Sequence, residues 1–101
     1  MNLREKSNYL NSVLDKILPS AQQELDTLSE VYVEGRYFRD DFNIGDDPIP
    51  LYFVVKEKPS DCNYLEQTLN AQSDYFLPLI VEVVEFYNNF KPSCTLVEKF
   101  S

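Results

Sequence analysis

The chain has 101 residues, 9 of them basic and 17 acidic, for a net charge of −8, with 44% hydrophobic and 14% aromatic content. That is enough apolar residue for one folded domain, residues 1–101, and too much for a disordered chain. The acidic balance argues against nucleic acid and anionic membrane as partners, since both require a local excess of Lys and Arg, and it favours a partner with a basic surface.

In chain order, the first predicted element is a helix. Leu10, Val13, Leu14, Ile17 and Leu18 recur on one face, with Leu3 a heptad earlier and Arg4, Lys6, Asp15 and Lys16 off the stripe. Pro19 is expected to end it, and Ser20-Ala-Gln-Gln23 to cap a second helix carrying Ala21, Leu25 and Leu28. Residues 31–38 alternate Val31, Val33 and Tyr37 against Tyr32, Glu34, Arg36 and Phe38, a strand pattern. The spacing of Leu25, Leu28, Tyr32 and Gly35 also fits a continuing helix. Residues 40–50, with two prolines, one glycine and four aspartates, read as a loop. Residues 51–57 read as a strand. A short helix capped by Ser60 or Asp61 is predicted to carry Tyr64, Leu65, Thr68 and Leu69. A further helix is predicted over 76–90, with Phe76, Ile80, Val83, Val84, Tyr87 and Phe90 inward and Glu82, Glu85 and Asn89 on the opposite face. After Pro92, residues 94–99 are predicted to form the last strand. The sum is an α+β domain, helices packed on a small antiparallel sheet built from 31–38, 51–57 and 94–99. The alternative is a mostly helical bundle, if 20–38 is one long helix.

Several chemistries lack their groups. The chain has no histidine, which removes the commonest general base and metal ligand, and with them Ser-His-Asp and Cys-His catalysis. No Gly-rich phosphate-binding motif is present. Counted from Asp41, the sixth and twelfth positions of a calcium loop hold Asp46 and Tyr52 rather than Gly and Glu. Cys62 and Cys94 lie 32 positions apart, a poor zinc pair, and are read as reduced thiols of a cytoplasmic protein, with a bridge between them as the alternative. No apolar run reaches the ~18 residues of a membrane span, and Met1-Asn2-Leu3-Arg4-Glu5-Lys6 has no apolar signal core. The expectation is therefore no catalytic residues, no metal and no cofactor. Carboxylate pairs such as Asp40/Asp41 or Glu82/Glu85 would be the only acid–base groups, and surface charge accounts for them equally well.

Binding has more to work with. No Lys or Arg occurs from Pro59 to Phe90, and Asp40, Asp41, Asp46 and Asp47 cluster in one loop. Phe42, flanked by polar residues, is expected to be an exposed aromatic anchor. Together with Glu82 and Glu85 these residues form the predicted partner-binding surface. The leading reading is a small inhibitor of the antitoxin, immunity or anti-defence type, masking a basic surface of another protein. The alternative is an accessory or assembly subunit that buries the apolar face of 76–90 against another chain.

The stretch Val31-Tyr-Val-Glu-Gly-Arg-Tyr-Phe-Arg-Asp-Asp-Phe-Asn-Ile44 resembles a segment of HEPN domains, in which a Tyr-x-x-x-Arg-Tyr stretch closes a helix and leads into an Asp-rich turn. The resemblance implies a helix over that stretch and an association with toxin–antitoxin pairs. Many HEPN domains are ribonucleases with an Arg-x4–6-His motif. Arg36 is present here, but no histidine follows, so the resemblance does not carry that activity.

Overall fold

A computed structural model describes residues 2–61, 79–85 and 93–100. Among them, helix α1 (Leu3–Glu24) packs on a sheet of β1 (Leu28–Glu34), β2 (Ile49–Val55), β3 (Leu79–Glu85) and β4 (Cys94–Lys99). The strand order is β3-β2-β1-β4, so the acidic loop joins the two central strands. The fold is α+β, as the residue pattern predicts. The sheet, however, is mixed: β1 pairs antiparallel with β2 and β4, whereas β2 and β3 run parallel. Ser60 and Asp61 form a turn, while the residues expected on the short helix (Tyr64, Leu65, Thr68 and Leu69), Cys62 and the ends of the 76–90 helix lie outside the described residues.

Asn2 starts α1, its Oδ1 accepting the Glu5 amide at 2.8 Å. The helix does not stop at Pro19. Leu10, Val13, Leu14, Ile17 and Ala21 form one continuous buried stripe, and Leu25 beyond the C-terminus joins the same core. Breaking at Pro19 would pull Ala21 and Leu25 off the sheet. The interior proline, which costs ~3 kcal/mol or more, is therefore overridden by burial of the turn beyond it.

β3 corrects the helix predicted over 76–90 where residues are described. Leu-Ile-Val-Glu-Val-Val-Glu has apolar residues at both helical and strand spacing, and its β-branched content suits a pleated surface. In the fold Leu79, Val81 and Val83 are buried, while Ile80 and Glu82 are exposed, the alternation of a strand. The predicted 31–38 strand is shifted. β1 begins at Leu28 and ends at Glu34, and Gly35–Phe38 turns as a 3-10 helix. Where the HEPN resemblance implies a helix, the chain is thus strand and then tight turn. Gly35 occupies that turn because a Cβ there would lie 2.5 Å from the Ser93 carbonyl oxygen, just before β4. Pro50 is the second residue of β2, before its first described pair with β1, Leu51 with Val33, so no ladder bond to β1 is lost.

The core lies between α1 and one face of the sheet. Val31, Val33, Leu51, Phe53, Val55, Val81 and Val83 join the α1 stripe there. Val97 packs against it too, at the irregularity where β4 shifts register on β1. The other face carries the alternate residues, among them Tyr32, Glu34, Tyr52, Ile80 and Glu82.

Candidate protein interface

The acidic loop is held from beneath. The Tyr37 hydroxyl donates to the Lys6 carbonyl at 2.7 Å, and the Lys6 ammonium donates to the Arg39 carbonyl at 2.5 Å. Phe42 closes this anchor. It is 9% exposed, meets Tyr37 edge-on at 5.1 Å between ring centroids, and lies 5.8 Å from the Lys6 nitrogen. The sequence-based expectation of an exposed Phe42 is therefore corrected. The first turn of α1 passes over the loop and gives the ring an apolar and cationic seat that its chain neighbours do not reveal. Lys6 itself is only 4% exposed, its aliphatic stem buried and its charge met by a carbonyl and a ring.

With the ring inward, the carboxylates of Asp40, Asp41 and Asp46 stand in solvent. Asp47 turns back: its Oδ2 accepts the Asn43 amide at 2.8 Å, while the Asn43 carbonyl accepts the amides of Asp46 and Asp47. This local turn uses the positive φ of 96° at Gly45. Asp47 thus shapes the loop, and Asp40, Asp41 and Asp46 present its charge.

Tyr37 has no solvent-exposed surface, and burial, with a smaller contribution from Tyr9, pushes its hydroxyl up to about 12. Burial also raises Tyr9. Both tyrosines border the α1 end that anchors the loop, so their neutral forms belong to the folded state.

The loop meets the sheet at a cleft of about 220 Å³ lined by Arg36, Arg39, Asp41, Phe42, Asp47, Pro48 and Ile80. Ile80 belongs to the sheet face turned away from α1. On that face Leu96, Tyr32, Tyr52 and Glu82 are successive cross-strand partners from one edge to the other. Tyr52 donates to Glu34 Oε2 at 3.4 Å, and Arg36 Nε lies 3.5 Å from the other oxygen of the same carboxylate. The Tyr52 hydroxyl is raised above its ordinary range by burial first, then by the charges of Glu34, Glu82 and Cys94. Those groups therefore converge on it.

Glu82 and Glu85 are not on one helix face. Glu82 points outward in this row, while Glu85, at the end of β3, accepts the Lys58 amide at 3.2 Å and closes the turn after β2. The structure brings Asp41, Asp47 and Ile80 to one cleft, places Glu82 two residues along the same strand face, and leaves Glu85 at the far end of the strand. The Tyr32–Tyr52 pairing and its carboxylates were not singled out from sequence. The alternation Ile80, Glu82, Val84 against Leu79, Val81, Val83 was the available signal, but registers between distant strands are not written in it.

Among the described residues, no group of His, Cys, Asp and Glu is arranged to hold a metal ion, and no helix is long and apolar enough to cross a membrane. No known protein family, curated protein or solved structure matches the chain.

Proposed function

We propose that this is a small, non-catalytic binding protein that masks a basic surface of a partner protein, in the manner of an antitoxin, immunity or anti-defence protein. The observation that carries this reading is the anchored loop. Lys6, Tyr37 and Phe42 fix its backbone, so the exposed carboxylates of Asp40, Asp41 and Asp46 are displayed without a large ordering cost on binding. A net charge of −8 adds long-range attraction to a basic target. The test is capture of the partner from cells of the source, followed by association kinetics with the purified pair. Replacing Asp40, Asp41 and Asp46 together by Asn is expected to slow association about five- to tenfold at low salt and leave the fold intact. An unchanged on-rate would remove the loop from the interface.

A further inference from the structure

Beyond the masking of a partner protein, we propose that the cleft between the acidic loop and the start of β3 binds a free apolar α-amino acid. The cleft holds about 220 Å³. That is below the ~300–1,000 Å³ of sites for drug-sized ligands, so its occupant is small. Its walls carry both signs of charge. Arg36 and Arg39 supply guanidinium groups, Asp41 a carboxylate, and Phe42, Pro48 and Ile80 apolar surface. Arg36 shares its charge with Glu34, Nε to Oε1 at 3.5 Å, and the Asp47 carboxylate accepts the Asn43 amide. Among the described residues, the Arg39 guanidinium and the Asp41 carboxylate form no ion pair and no side-chain hydrogen bond, with each other or with another group.

The backbone that carries this unneutralised pair is fixed. The Arg39 carbonyl accepts both the Lys6 ammonium and the Phe42 amide, and the Phe42 side chain is buried. Ile80, which lines the same cleft, keeps 47% of its surface in solvent. Charge and apolar surface together choose the occupant. A free anion such as phosphate would meet Arg39 but face Asp41, and a simple cation would meet Asp41 but face Arg36 and Arg39. A zwitterion satisfies both: its carboxylate takes the Arg39 guanidinium and its ammonium takes Asp41. An apolar side chain on the same molecule covers Ile80 and Pro48.

The test titrates the full, isotope-labelled chain with leucine, with leucinamide, which lacks the carboxylate, and with N-acetylleucine, which lacks the ammonium. Saturable NMR shifts at Arg39, Asp41 and Ile80 are expected with leucine, with a dissociation constant on the order of 1 mM because the charges are exposed. Each analogue should bind at least about threefold more weakly, the size of one exposed ion pair. Arg39→Gln should weaken leucine and leave leucinamide unchanged, and Asp41→Asn should weaken leucine and leave N-acetylleucine unchanged. Both variants keep the Arg39 carbonyl and Phe42 amide that hold the loop, so neither should unfold the domain. No saturable shift with leucine, either analogue binding as tightly as leucine, or a variant that weakens all three ligands equally would overturn the site. No partner protein is present in this experiment, so any of those results leaves the masking reading standing.

Discussion

Tyr37→Phe should reverse its effect on stability with pH. Near neutrality the substitution removes the bond from the Tyr37 hydroxyl to the Lys6 carbonyl, 2.7 Å long and buried, and should cost about 1 kcal/mol. At high pH the hydroxyl becomes a liability. Its folded-state value of about 12 stands above the ordinary 10.0. A raised value means that the folded state holds the proton more tightly. The associated stability is full below about pH 10 and is lost as pH rises through 12. Two pH units at ~1.36 kcal/mol each give a total loss of about 2.7 kcal/mol, of which about 1.4 has gone by pH ~11. The figure is an upper bound, because solvent near the hydroxyl screens part of the effect although the Tyr37 ring itself is buried. The wild type should therefore be the more stable protein at pH ~8, and the Phe variant should match or exceed it near pH ~11. Urea unfolding of both proteins at matched pH is the assay, and taking their difference cancels the other titrating groups. A stability gap that stays constant from pH ~8 to ~11 would refute the burial and anchoring assigned to Tyr37.

Pro19→Ala should stabilise the domain by about 1–2 kcal/mol, because the proline penalty of ~3 kcal/mol inside a helix is partly offset by its stiffening of the unfolded chain. A lower melting temperature would show that α1 needs its proline. Gly35→Ala should destabilise by about 2 kcal/mol or more, since its Cβ would meet the Ser93 carbonyl oxygen at 2.5 Å, a backbone atom that cannot rotate away. Hydrogen exchange should show the loss concentrated in the β1–β4 ladder, and protection unchanged from wild type would contradict the close approach.

The sequence was most legible where one local signal acted alone. The middle of α1 follows from a single stripe, Leu10 to Ile17, and the 40–50 loop from its Asp, Gly and Pro content; in the first turns the expected Leu3 is exposed and Lys6 is buried instead. β4 matches the predicted 94–99. Legibility failed where two signals competed. Pro19 argued for a break, but Ala21 and Leu25 bury against the sheet beyond it. Residues 79–85 fit both periods, and pairing with β2 decided for the strand. At the site, the acidic character of Asp40, Asp41 and Asp46 could be read directly, whereas the inward turn of Phe42 depends on Lys6 and Tyr37, distant in sequence. The sheet face depends on register between strands far apart in the chain, which places Tyr32, Tyr52 and Glu82 in one row.

The central claim is charge-steered binding to a basic partner, and its most direct measurement is the dissociation constant of the captured complex as salt rises from about 50 mM to about 500 mM. The account predicts at least about tenfold weakening across that range, with a shallower dependence when Asp40, Asp41 and Asp46 are replaced by Asn. An affinity and on-rate that stay flat with salt, for wild type and variant alike, would contradict it.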